Sequence, residues 1–194
     1  MGGSSVTVQD TKDTYVNEQE SGLRDISGHW AERIILDLVS RGVVNGYEDN
    51  TYRPENPVTK GEFLKLLLEA KKTPLNNTAA PYADTADHWA GKYVNTAFAK
   101  QLTLDVENSN TEFGVEDAIT RAEAATLIGR LLNPDGTGTP DFTDSGAIPA
   151  WASAPVASAV ALGIINGMPD GSFAPEQNLT RAEAAAMIQR ILNL

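Results

Sequence analysis

Apolar residues recur at helical spacing in six segments of this chain, grouped in three pairs. The first member of each pair opens on tryptophan. In WAERIILDLVSRG, Trp30, Ile34, Leu38 and Val39 fall along one stripe, and Gly42 is placed to end the helix. WASAPVASAVALG puts Trp151, Val156, Ala159 and Val160 in the equivalent stripe with Gly163 as terminator, and Pro155 is expected in or just past the first turn, where a missing N–H costs little. WAGKYVNTAFAKQ carries Trp89, Tyr93, Val94 and Ala97, with Gln101 where the other two have glycine. A tryptophan opening a helix is expected to anchor the core; the alternative is a face that stacks on sugar. The second members are VTKGEFLKLL, ITRAEAATLI and LTRAEAAAMI. Each begins with a capping box, Thr59 with Glu62, Thr120 with Glu123 and Thr180 with Glu183, so a helix should start there.

These pairs are copies of one unit. The tryptophans lie 59 and 62 residues apart, and the basic residues that follow the cap threonines, Lys60, Arg121 and Arg181, lie 61 and 60 apart. Within each unit the order is an Asp-containing turn (Asp25, Asp84, Asp144), tryptophan, a helix of about three turns, a loop and the capped helix. The loops VVNGYEDNTYRPENPVT and IINGMPDGSFAPEQNLT match position for position, including Asn45-Gly46-Tyr47 and Asn166-Gly167-Met168. Asn-Gly is a turn signal because both residues tolerate positive φ, and short extended pieces are expected around Val43-Val44 and Thr51-Tyr52. The middle loop, LTLDVENSNTEFGVEDAIT, is two residues longer and lacks Asn-Gly, so it should behave differently. Linkers rich in Pro, Gly, Thr or Asn fall at 73–80 and 133–140. The expected division is a partly ordered leader or tag remnant at 1–20 and repeats at 21–75, 80–134 and 139–194. Units this small cannot bury two amphipathic helices alone, so the three should share a core. The fold expected is mainly α: three tandem helix–loop–helix repeats in one pseudo-threefold domain with grooves between repeats.

Composition narrows the function. A formal charge of -11 and a pI near 4.5 disfavour nucleic acid and anionic membrane as partners, so an anionic ligand needs a local basic site. Without cysteine there are no disulfides and no thiolate chemistry. No apolar run is long enough for membrane insertion. The polar start MGGSSVTVQD has no signal-peptide core and reads as an expression remnant on a trimmed chain. His29 and His88 precede tryptophan in two repeats, but Ala150 does so in the third, which makes a poor metal site and favours a structural or surface role. The acidic residues Glu48, Asp49, Asn50 and Asp170 lack the spacing of a calcium loop. No nucleophile–base order, phosphate loop or isolated carboxylate pair stands out, so no catalytic residue, metal or cofactor is expected.

The chemistry that remains sits at the capped helices. A cation in the first turn opposes the helix dipole by a few tenths of a kcal/mol, yet Lys60, Arg121 and Arg181 repeat this three times. Either each pairs with a carboxylate of a neighbouring repeat, or the site expects an anion that the helix N–H groups and the cation would hold together. Three such sites would suit a repetitive ligand bound by avidity.

Thr-Arg-Ala-Glu after an apolar residue, the Asp-x-x-x-x-Trp entry and Asn-Gly-x-x-Asp-Gly with a downstream aromatic and Pro resemble S-layer homology modules, in a set of three covering about residues 21–194. The resemblance implies a three-pronged helical assembly with inter-repeat grooves. It implies a non-enzymatic, secreted anchor in the cell wall or S-layer of a Gram-positive bacterium, monomeric as an isolated domain. Its partner would be the secondary cell-wall polysaccharide, through pyruvylated N-acetylmannosamine. On this reading Lys60, Arg121 and Arg181 meet the pyruvyl carboxylate. Trp30, Trp89, Trp151, Asn45, Gly46, Tyr47, Asn166, Gly167, Met168, Asp25, Asp84 and Asp144 line or support the grooves. Repeat 1 departs from the motif with Thr-Lys-Gly-Glu: lysine keeps the charge but loses the bidentate fork, and Gly61 weakens the first turn. The three sites should therefore be unequal. The alternative is a helical protein-interaction module whose basic residues form internal ion pairs.

Overall fold

The computed structural model describes residues 22–103, 112–133 and 137–194. The expected leader, most of the irregular middle loop and part of the second linker lie outside the described residues. Among the described residues there are six α-helices: α1 (Glu32–Ser40), α2 (Lys60–Ala70), α3 (Gly91–Ala99), α4 (Arg121–Leu132), α5 (Ala150–Ala161) and α6 (Arg181–Leu192). Single 3-10 turns at Ala83–Thr85 and Ser145–Ala147 lead into α3 and α5. The three capping boxes form as their sequence dictates. Thr59, Thr120 and Thr180 each accept the N3 amide on Oγ1 at 3.2 Å, and the N3 glutamates accept the threonine amides on Oε2 at 2.9–3.0 Å.

Of the stripes read from the sequence, Leu38, Tyr93, Val94, Ala97, Val156 and Ala159 are buried and Ile34, Val39 and Val160 half-buried, but the tryptophans that open them are not. The fully buried apolar positions are Ala31, Ile35 and Leu38 around α1, Ala90, Val94 and Ala97 around α3, and Ala152, Val156 and Ala159 in α5. These recur at i, i+4 and i+7, which is one helical face, and the preceding tryptophan points away from it. Trp30, Trp89 and Trp151 are accordingly 60%, 50% and 45% exposed, so none is a core anchor. Pro155 is the sixth residue of α5, deeper than the first turn, and takes one amide out of the helix ladder. Gly129 of α4 crosses there: a Cβ at 129 would lie 2.4 Å from the Pro155 carbonyl oxygen.

The helices pack in a closed order. α2 packs on α3 and α4 on α5, while α6 returns to α1; α2 also meets α4 and α6. A ring of three backbone hydrogen bonds joins the cap segments at the centre. Val58 donates to Leu179 O (3.0 Å), Leu179 to Ile119 O (2.9 Å) and Ile119 to Val58 O (3.0 Å). All three side chains are buried in one core shared by the repeats. The extended pieces expected at Val43-Val44 and Thr51-Tyr52 do not pair as strands. Among the described residues β pairing is confined to isolated bridges at the cap segments, Pro57 with Thr180, Thr59 with Ala118 and Thr120 with Asn178.

The aspartate that opens each repeat clamps that repeat's own loop. Asp25 accepts the amides of Tyr52 and Arg53, both at 2.7 Å, and Asp144 those of Phe173 and Ala174 at 2.7 and 2.8 Å. Asp84 accepts three, from Phe113, Gly114 and Val115 at 2.7–3.0 Å. The second residue of each clamp, Arg53, Gly114 or Ala174, has positive φ. Two of these are not glycine, so the carboxylate offsets a left-handed backbone that costs about 1 kcal/mol.

Candidate ligand-binding grooves

The basic residues do not stand beside free helix amides. Lys60 and Gly61 donate their backbone N–H groups to Asp117 O and Val115 O, Arg121 and Ala122 to Gln177 O and Pro175 O, and Arg181 and Ala182 to Asn56 O and Pro54 O, at 2.9–3.0 Å. The N3 amide goes to the cap threonine and the next to its carbonyl, so the helix ends that were to hold an anion are satisfied inside the fold. Gly61 also has a packing reason the motif did not show: a Cβ there would lie 2.9–3.1 Å from Val115 and Ala90 of the second repeat.

The side chains pair in the same cyclic sense. Lys60 Nζ lies 3.0 Å from Glu123 Oε1, Arg121 Nη1 3.2 Å from Glu183 Oε1, and Arg181 Nη1 3.3 Å from Glu62 Oε1. Each capping-box glutamate thus gives one oxygen to its own cap and the other to a cation from another repeat. The unfavourable placement against the helix dipole is offset by that carboxylate.

The three cations differ in what else they touch. Arg121 is 5% exposed at its side chain, donates through Nε to Phe173 O (2.8 Å) and through Nη2 to Asn166 O (3.2 Å), and stands over the Phe173 ring at 5.4 Å. Burial pushes its guanidinium below the ordinary arginine range, against the pull of Glu183 and Asp144. Arg181 is 13% exposed and donates through Nε to Tyr52 O at 2.9 Å. Its guanidinium lies 4.7 and 4.9 Å from the Tyr52 and Tyr47 ring centroids. No counterpart of the Arg121–Asn166 bond is made by Arg181 among the described residues. Tyr52 is pushed up to about 12 by burial, which the Arg181 charge opposes and Glu62 reinforces, so its hydroxyl stays neutral and faces Arg181 O at 3.4 Å.

Arg181 opens onto a cavity of about 330 Å³ built from all three repeats. Repeat 1 supplies the Asn45-Gly46-Tyr47 loop with Glu62 and Lys65 of α2, repeat 2 supplies Trp89, and repeat 3 supplies Arg181. Gly46 is needed here for close approach, since its φ is not positive: a Cβ would stand 2.2 Å from Leu23 Cδ2 and 2.9 Å from Thr51 O. Gly167 is crowded the same way by Phe142 and Ser172 O, at 2.8 and 3.0 Å. The turn itself comes later, at Asn50 and Gly171, which do have positive φ. Tyr47 and Met168 begin that turn, donating to Thr51 O and Ser172 O, both at 2.7 Å.

The other expected groove residues do not line this cavity. Asp25, Asp84 and Asp144 have their carboxylate oxygens committed to backbone amides, which makes them loop clamps. Trp151 lines a separate cavity of about 210 Å³ between α4 and α5, beside Arg130 and Asn133. Trp30 lies on the surface with its ring 5.5 Å from His29. The histidines are structural: Nδ1 of His29 and of His88 accepts the amide two residues on at 3.1 Å, and Nε2 meets Glu55 or Glu116 at 2.6 and 2.5 Å. Lys65 was missed in the sequence, although its counterparts Thr126 and Ala186 already marked it as the odd one of three.

Comparison with known proteins matches the S-layer homology domain to residues 23–64, 81–125 and 141–185. The chain belongs to the S-layer homology domain family. Among curated relatives of these S-layer homology repeats, an amylopullulanase of Thermoanaerobacterium thermosulfurigenes is 31% identical over 90% of this chain and 10% of its own length. A cellulosome-anchoring protein of Acetivibrio thermocellus is 32% identical over 77% of the chain and 35% of its length. An S-layer protein of Bacillus licheniformis is 29% identical over 84% of the chain and 18% of its length. The chain therefore spans about a tenth to a third of these proteins. Among the described residues no helix is long and apolar enough to cross a membrane.

Proposed function

We propose that this chain is a non-catalytic module that anchors a bacterial surface protein to the cell wall by binding pyruvylated N-acetylmannosamine of the secondary cell-wall polymer. Its family and the cellulosome-anchoring and S-layer relatives support the anchoring. The three-repeat cavity supports a glycan ligand: the half-exposed Trp89 offers a face for a sugar ring, and Arg181 and Lys65 offer charge to a carboxylate. The single observation that carries the reading is this convergence of aromatic and basic side chains in a chain of net charge -11. Calorimetric titration of pyruvylated and unpyruvylated N-acetylmannosamine tests it, with tighter binding expected for the pyruvylated sugar. Equal affinities would remove the carboxylate from the proposal.

A second reading has its own support. The internal pairing of Lys60, Arg121 and Arg181 is what a helical protein-interaction module would show. That reading gains if neither sugar binds and purified cell-wall polymer fails to retain the chain.

A further inference from the structure

In each repeat's groove the cation at the helix start and the glutamate from the next capping box cancel: Arg181 with Glu62, Lys60 with Glu123, Arg121 with Glu183. Lys65 breaks this balance. It is partly buried on α2, lines the same cavity as Arg181, Glu62 and Trp89, and has no ion pair or hydrogen bond among the described residues. Five residues after Arg121 and Arg181 the corresponding positions hold Thr126 and Ala186, both buried and uncharged; the Thr126 hydroxyl donates to Ala122 O at 2.7 Å. The third repeat's groove is further closed to an anion because the Arg121 guanidinium already serves Phe173 O, Asn166 O and Glu183. In a chain this acidic, long-range electrostatics repel an anionic ligand, so an uncompensated positive group decides where it settles.

We propose that Lys65 is a specificity-determining residue which makes the first repeat's groove the preferred site for a glycan bearing a carboxylate, with Lys65 and Arg181 sharing the carboxylate while Trp89 takes the ring face. This rests on the glycan-anchoring reading above and adds the ranking of the grooves and the residue that sets it. A titration of pyruvylated N-acetylmannosamine followed by the three tryptophan indole N–H signals tests it, since each repeat carries one tryptophan. The Trp89 signal is expected to move at the lowest ligand concentration. Lys65→Thr should weaken the Trp89 titration about tenfold, the size of one charge-assisted contact, and Lys65→Arg should hold it within about threefold. Binding of the unpyruvylated sugar should be the same in parent and variants, as should their melting temperatures. Trp30 or Trp151 responding first, or a Trp89 titration indifferent to Lys65→Thr, would overturn the role of Lys65 while leaving glycan anchoring in place. Absence of any response to the pyruvylated sugar in the parent would overturn both.

Discussion

Glu62, Glu123 and Glu183 each carry two structural duties on one carboxylate. One oxygen closes a capping box and the other holds a cation from a different repeat. Arg121 is the most enclosed partner, and truncating it takes the guanidinium away from Glu183 Oε1 and from the carbonyls of Asn166 and Phe173. Arg121→Ala is expected to lower unfolding free energy by roughly 3–5 kcal/mol, measured by urea denaturation. Arg181→Ala, at a more open site, should cost well under half of that and show its main effect in ligand affinity. The clamp at Asp84 makes a pH prediction. Burial would raise this carboxyl, but the amides of Phe113, Val115 and Gly114 outweigh it and hold it below the usual aspartate value. A depressed carboxyl stabilises the fold above its unfolded pKa, and that contribution is lost as pH falls through the folded value. Asp84→Asn should therefore be less stable than the parent by about 1–2 kcal/mol at neutral pH, and the difference should shrink in acid. A gap that is constant from pH 7 to pH 3 would remove the charge from the explanation.

At the scale of single elements, local chemistry was largely legible. The three capped helices begin at their predicted threonines because a capping box is satisfied within four consecutive residues. Gly42 and Gly163 end α1 and α5 with φ of 69° and 70°. Gln101 ends α3 in the same left-handed conformation at φ 57°, without the glycine that makes it inexpensive. Gln101→Gly should raise stability by about 0.5–1 kcal/mol, the released strain being partly offset by greater freedom of the unfolded chain. A calorimetric melt reads the shift, and a lowered Tm would count against strain at this position. The helix faces were less legible. Tryptophan, the largest apolar residue at each first helix, was placed on the buried stripe and lies off it, because size does not say whether a side chain faces core or ligand. Ala31, Ala90 and Ala152 beside it are the buried positions, and a small side chain carries little hydrophobic signal.

For the whole molecule, the decisive feature is cyclic closure. α1 finds its partner in α6, and Val58 accepts from Ile119 while donating to Leu179, so the first repeat is completed by the last. A chain ending at residue 133 would lose α6, the carbonyl of Leu179 and Arg181 together. It should show no cooperative melt by far-UV circular dichroism, whereas the full chain should unfold in one transition with tryptophan fluorescence and dichroism coinciding. A truncated chain that melts sharply would mean that two repeats bury enough on their own. Closure also composes the candidate groove. Its loop, its tryptophan and its arginine come from repeats 1, 2 and 3 in turn.

Helix starts, helix stops and the sixty-residue period could be read along the chain, because each depends on residues within a few positions of one another or on simple recurrence. Which carboxylate meets which cation could not, since Arg181 and Glu62 are brought together only when the ring of repeats closes. The same holds for the helix amides. Their capping was local and foreseeable, but their use by Asp117, Gln177 and Asn56 carbonyls of other repeats withdraws the amides, and not the cations, from the anion that was one of the two partners the sequence offered. Three basic residues that look equivalent in sequence became one enclosed ion pair, one single contact and one cation facing a cavity, because each is desolvated by a different neighbour.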